Sequence, residues 1–285
     1  MTTSKKSPLH IVLTLVFGLF LVFLYGPTLT IAILSFQGPE GGLTFPMNGL
    51  SLHWYGNLFE KQQVGDFGGS LTRSMLLGLS VMACTVVFAL LAGLAYRRAF
   101  RGDSVIFYLT LISLILPSIL ISLGIGILFD QIGIAPHWYG SAFGAQLTWT
   151  LPFGLLIMFA VFNRFNKVYE AAAIDMGASR WQSFRLVVLP LVLPSLIGVA
   201  LLGFTLSYDE FARTLMTAGS FNTLPLEIYG MTTNVTTPVL YALGTFTTGV
   251  SFLLICLALV SMRLLTRRKP HLAQLEIIPD EPADH

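Results

Sequence analysis

An all-α membrane fold with about six transmembrane helices is the class this sequence predicts, and three observations predict it. The 285 residues are 54% hydrophobic and only 11% charged, with a mean hydropathy of +0.76. A soluble domain carries about 25% charged residues, so this chain lacks the polar coat that a water-facing surface needs. Apolar runs recur at the roughly 20 residues required to cross about 30 Å of hydrocarbon. Basic residues, finally, crowd into alternate loops and are nearly missing from the others. Lipid is therefore the main solvent, and a net charge of +2 argues against nucleic acid as a partner.

Six runs carry the predicted spans. The first covers 11–36 and exceeds the core of about 7–15 residues of a signal peptide, so it is expected to stay as an uncleaved helix. The second covers 75–96 and the third 105–129, interrupted by Pro117. A fourth covers 145–162 and contains Pro152; the fifth, 186–208, has Pro190 and Pro194 near its start. The sixth covers 240–265. Prolines are tolerated inside spans where neighbouring helices or cavity water satisfy the freed carbonyls. Several such breaks suit a transporter-like bundle better than a passive anchor.

Lys and Arg assign the two faces through the positive-inside rule. Lys5, Lys6, Arg97, Arg98, Arg101, Arg164, Lys167, Arg180, Arg185, Arg263, Arg267, Arg268 and Lys269 fall on one face, thirteen of the sixteen basic residues. Only Lys61, Arg73 and Arg213 fall on the other. The basic face is expected to be cytoplasmic, with both termini inside. The predicted organisation is a cytoplasmic segment over 1–10, a six-helix membrane domain over 11–265 and a poorly ordered cytoplasmic tail over 266–285, acidic from Pro270 to His285. Trp54, Tyr55, Trp138 and Tyr139 are expected to anchor the headgroup level, as Trp and Tyr commonly do. Cys84 and Cys256 lie within apolar runs, with neither the spacing nor the setting of a metal site or disulfide framework.

The motifs of catalysis are missing. A phosphate-binding loop needs a Gly-Lys pair, and none of the five lysines follows a glycine. There is no HExxH and no GxSxG. We expect no enzyme activity, no metal and no cofactor held by this chain, so ATP hydrolysis, if it drives the protein, occurs on another polypeptide.

The most informative stretch is the basic-face loop over 164–186. It reads Tyr169-Glu170-Ala171-Ala172-Ala173-Ile174-Asp175-Met176-Gly177-Ala178-Ser179-Arg180-Trp181, and Val187-Val188-Leu189-Pro190 follows shortly after. Alanines favour helix, and a glycine free to take positive φ ends one. Two short surface helices joined by a sharp bend are expected, with small alanines that let another protein approach closely.

This segment resembles the EAA loop of binding-protein-dependent ABC importer permeases. That pattern is Glu-Ala-Ala, three residues, Gly, nine residues, Ile-x-Leu-Pro. Nine residues after Gly177 stands Val187, then Val188, Leu189 and Pro190. The upstream half departs: Ala171 stands six before Gly177, and Glu170 is one position earlier. On a helix that turns the carboxylate by about 100°. The resemblance implies a type I (MetI-like) permease bundle whose coupling helix sits in a groove of a cytoplasmic ATPase. Glu170, Ala171, Ala172, Asp175, Met176, Gly177, Ala178, Arg180 and Trp181 would form the contact. Asp175 and Arg180 could share the role of the displaced Glu170.

A second likeness narrows the branch. Ser207-Tyr208-Asp209-Glu210-Phe211, with Thr223-Leu224-Pro225-Leu226-Glu227-Ile228-Tyr229, resembles the second permease of spermidine/putrescine-type importers. So does Leu52-His53-Trp54-Tyr55 ahead of Leu58-Phe59. The implied complex holds a second permease, two ATPase subunits carrying ATP and Mg, and a periplasmic solute receptor, all at a bacterial inner membrane. Solute would be a polyamine-like cation; an opine, amino-acid derivative, phosphonate or iron are the alternatives.

Ionisable groups near membrane depth usually face an interior or a wet cavity. Tyr208, Asp209 and Glu210, with Asp130 and Trp149 behind them, are the candidates for the solute path, since carboxylates and aromatic rings suit a polycation. Asp209 and Glu210 have a second open role, solvating a helix end or pairing with Arg213. His137, Arg73 and Glu227 are candidates for the receptor dock. The rival class is an ion-gradient-driven secondary transporter, which calls for intramembrane carboxylates or inverted repeats; neither is found in the span centres.

Overall fold

The computed structural model describes residues 8–59, 65–98, 100–234 and 237–267. Predicted features on 1–7, 61 and the tail from 268 lie outside them. Regular structure among the described residues is helical, apart from one antiparallel bridge between Gln37 and Leu50. Five helices are long and apolar enough to cross a membrane, and a bent pair supplies a sixth crossing if counted as one span. The fold class read from composition therefore holds.

The chain divides into two compact units. One comprises the described residues up to Gly68 with Glu227–Val250; the other comprises Gly69–Leu226 with the described residues from Ser251.

In the first unit, helix α1 (Pro8–Leu34) carries no charge other than a titratable His10 near its start. Its apolar window is 0% buried within the chain. A helix that is hydrophobic all round and uncovered needs lipid or another protein as its surroundings. The loop after it is built around Gln37, which is fully buried. Its Nε2 donates to the Gly42 carbonyl (3.1 Å), and its Oε1 accepts the Asn48 N–H (2.8 Å). Tyr241 of α11 (Val239–Arg267) donates its hydroxyl to the Leu43 carbonyl at 2.6 Å. Trp54, on the short helix α2 (His53–Asn57), is only 7% exposed. It is a core residue of this loop. Tyr55 is half-buried and shares a 2.8 Å hydrogen bond with Ser35.

The second unit holds most of the span packing. Helix α3 (Phe67–Ala95) crosses α6 (Phe143–Arg164) and α9 (Leu189–Tyr208) around one apolar cluster. Ala89, Met158, Phe162, Val188, Val192, Leu196 and Val199 form it. Two glycines set the approach. A Cβ on Gly93 would stand 2.7 Å from the Phe162 ring, and one on Gly154 would meet Ala89 and Thr85 at 3.0 Å. Small residues at such crossings replace a hydrophobic drive, which lipid cannot supply, with close van der Waals contact. Thr85 and Thr150 share a buried hydrogen bond of 2.8 Å across the same crossing.

The third predicted span is corrected in shape. Pro117 does not merely kink it: α4 (Asp103–Ile115) and α5 (Ser118–Gln131) meet at 105°. Leu116 takes an extended conformation, φ −66°, ψ 132°. The proline ring disfavours αR for the residue before it and removes an N–H donor, so the helix must restart.

Candidate functional site

Between α6 and α9 the chain turns back on itself in a compact elbow. Asn166 Oδ1 accepts the Val168 N–H at 3.0 Å and starts α7 (Val168–Asp175). Its end is a Schellman motif: Ala178 N–H donates to the Ala173 carbonyl (3.0 Å), and Gly177 N–H to that of Ile174 (2.9 Å). Gly177 has φ +90°, where a side chain is strained whatever the space around it. Two residues later Ser179 opens α8 (Arg180–Ser183) with a capping box. Gln182 N–H donates to Ser179 Oγ at 3.2 Å, and Ser179 N–H to Gln182 Oε1 at 2.8 Å.

The second half of the elbow corrects the expectation of two separate surface helices. From Arg180 the chain runs through α8 and a π-helical turn (Phe184–Val188) directly into α9, as one continuous span, Arg180–Tyr208. Pro190 follows the π-helical turn inside this continuous span, where it removes one backbone N–H donor from the helix. Only α7 is a free-standing surface helix, and α8 is the first turn of a span.

Large apolar side chains stand exposed on the elbow among charged ones. Met176 is 84% exposed and Trp181 65% exposed, with Ile174 and Tyr169 also exposed. Ala171, Ala172, Asp175, Gly177 and Arg180 are exposed as well, and Ala178 is half-buried. Ala173 and Ser183 face inward. Glu170 is the exception among the predicted contact residues. It is partly covered, and its Oε2 accepts a hydrogen bond from Arg97 Nη2 at the end of the second span. Arg97 lies over the rings of Phe162 (5.7 Å) and Phe165 (5.4 Å). The sequence marked Arg97 only as a topology-setting charge; 73 positions separate the pair, so no spacing rule links them.

A second constellation surrounds the loop after α9. Arg213, which the charge count placed on the far face, is 0% exposed and so cannot act as a solvated loop charge. Its backbone N–H donates to Glu210 Oε1 (2.9 Å), its Nη1 to Thr148 Oγ1, and its guanidinium covers Trp149 at 5.0 Å. Nε and Nη2 have no hydrogen-bond partner. Ser207 Oγ donates to Gln146 Oε1, leaving Gln146 Nε2 unpartnered, and the buried Tyr208 hydroxyl is unpartnered too. Asp209 ends α9 and reaches solvent, yet desolvation by the surrounding chain raises its carboxyl above the usual aspartate range. Arg213 thus links Trp149 to Glu210, and Tyr208 and Asp209 directly precede Glu210 in the chain. Asp130, exposed near the end of α5, makes no hydrogen bond or ion pair with them.

Of the predicted docking residues, Arg73 donates to the Asn222 carbonyl (2.7 Å) and His137 stacks on Tyr139 at 3.8 Å, both in the second unit. Phe221 lies under both, 5.8 Å from Arg73 and 5.3 Å from His137. Glu227 belongs to the other unit, where it accepts the Asp66 N–H at 3.0 Å. Cys84 and Cys256 are free and partly buried.

Membrane-length helices joined by a surface elbow define a multi-pass membrane protein. Residues 85–270 match the family described as "Binding-protein-dependent transport system inner membrane component", and the chain belongs to it. It is a multi-pass permease subunit of the type I ABC importer class and not a catalytic enzyme. Among its relatives is the spermidine/putrescine transport system permease protein PotC of Haemophilus influenzae. The two are 29% identical over 250 residues, covering 87% of this chain and 94% of that one. The putrescine transport system permease protein PotI of Escherichia coli K12 is 26% identical over 256 residues, covering 86% and 87%. The fold also superposes on a bacterial ABC transporter involved in import of the acidic polysaccharide alginate. There the TM-score is 0.67 at 18% identity, over 90% of this chain and 96% of that one.

Proposed function

We propose that this chain is one of two permeases in an ATP-driven importer of the bacterial inner membrane, taking up a small organic solute. The elbow is the part that couples it to a separate ATPase. The carrying observation is its build: a Schellman stop, a left-handed glycine and a capping box satisfy the backbone locally, while Met176 and Trp181 are left uncovered. A lever must be stiff and must present a surface to whatever pushes it. On this reading the basic ends of the helices face the cytoplasm. ATP and Mg are bound by the ATPase pair, and a periplasmic receptor delivers solute.

Polyamines are the favoured solute, because PotC and PotI are among the relatives and the carboxylates of Asp209 and Glu210 lie beside Tyr208 and the Arg213–Trp149 pair. Glu210 is already engaged by the Arg213 backbone, so Asp209 is the carboxylate open to a cation. One observation favours a second reading. The buried unpartnered donors of Arg213 and Gln146 suit a solute with acceptor oxygens, such as an amino-acid derivative or phosphonate.

The test is ATP-dependent uptake of labelled putrescine and spermidine by inverted and right-side-out vesicles carrying the whole assembly. Uptake should require the receptor and ATP. Uptake by this chain alone, driven by an ion gradient, would make it a secondary transporter instead. Competition by acceptor-rich solutes, with no response to polyamines, would select the second reading of the solute.

A further inference from the structure

We infer that the Arg97–Glu170 pair is an internal strut that ties the elbow to the second span, so that Arg97 is a positioning residue for force transfer. The inference rests on the coupling role proposed above. Three observations carry it. Glu170 stands one position before the place where the family pattern has its glutamate, and that place holds Ala171. The rotation of about 100° brings its carboxylate onto Arg97 of this same chain.

Arg97 is also held before Glu170 arrives. Its guanidinium is covered by Phe162 and Phe165, and its side chain is 15% exposed against 28% for Glu170. A planar guanidinium fixed on aromatic faces loses little freedom on pairing, and a partly buried pair is screened less than a surface one. The connectivity completes the argument. The elbow joins α6 through Phe165–Lys167 and runs on into α9, but it has no covalent route to α3. Among the described residues, Arg97–Glu170 is the hydrogen-bonded link between residues 168–188 and α3 with its trailing turn. Movement of the elbow would therefore reach three spans together. A consequence is that Glu170 is engaged within the chain, which leaves Met176, Trp181 and Ile174 to meet the ATPase.

The experiment is a double-mutant cycle in the complete importer, with Arg97→Gln, Glu170→Gln and the double variant. Membrane abundance, co-purified ATPase and ATP-driven uptake are measured together. Each single variant should keep the ATPase bound and lose roughly tenfold in uptake, inside the 5–150-fold range usual for coupling between sites. The double variant should lose no more than either single one. Losses that multiply, or normal uptake in all three, would overturn the strut. Glu170→Gln shedding the ATPase while Arg97→Gln retains it would also overturn it, by showing that Glu170 contacts the ATPase directly. Should Arg97→Gln fail to insert, Arg97→Lys replaces it: the charge stays but the planar fork is lost, and an intermediate uptake is expected. Full uptake with Arg97→Lys would contradict the inference. Gly177→Val, run alongside, separates the two levels: if it transports normally, the coupling reading itself fails, whereas a dead Gly177→Val beside normal strut variants removes the strut alone.

Discussion

The elbow and the loop after α9 treat their polar groups in opposite ways. In the elbow, Gly177, Ala178, Ser179 and Gln182 close their hydrogen bonds within a few residues, the buried Ser183 Oγ being the exception, and Met176 and Trp181 are left exposed. Around Arg213 the balance is different: several buried polar donors are left over, on Arg213 and on Gln146. A segment satisfied by its own backbone keeps its shape under load. Unpartnered donors in a buried place, by contrast, are costly unless water or a ligand reaches them. On the proposed reading, the contrast suits stiffness in one region and exchange with water or solute in the other.

The strongest way to break that contrast is to remove the left-handed residue. Gly177→Val places a β-branched side chain at φ +90°, where even an unbranched L-residue pays roughly 1–2 kcal/mol. We predict a protein that remains in the membrane at normal abundance and has lost ATP-driven uptake altogether. Normal uptake would show that the elbow need not be stiff.

The second test exchanges the buried cation. Arg213→Met removes the unpartnered donors, and replacing buried ionic groups by apolar ones is often neutral or stabilising by about 1–4 kcal/mol. Uptake should fall sharply while the melting temperature in detergent stays level or rises. A clear drop in melting temperature would make Arg213 a structural brace. The smallest effect belongs to the cap. Ser179→Ala removes one half of the capping box, a loss of about 0.5–2 kcal/mol. Hydrogen exchange of the Gln182 amide should speed up, with a modest fall in uptake; unchanged exchange would mean the box adds no stiffness.

Much of this was legible in the sequence. Spans follow from apolar length, and the elbow's bend from its alanines and Gly177, because both depend on neighbours in the chain; the Ser179–Gln182 capping box emerged only in the structure. Pro117 announced a break, but no local rule gives the 105° between α4 and α5. That angle is set by what each half packs against. The burial of Trp54 and Arg213 was not legible for one shared reason: residue type predicts an average environment, and each side chain is buried within the protein. The Arg97–Glu170 pair joins positions far apart in sequence, so only the tertiary crossing of α3 and α6 could reveal it.

The central claim is that the elbow meets a separate ATPase, and site-directed cross-linking tests it most directly. With Cys84 and Cys256 changed to serine, Met176→Cys and Trp181→Cys are each paired with cysteines along the ATPase groove in the assembled importer. The account predicts cross-links at both positions whose yield changes when ATP is added. Both cysteines labelled instead by a membrane-impermeant reagent from the periplasmic side, with no cross-link, would contradict it.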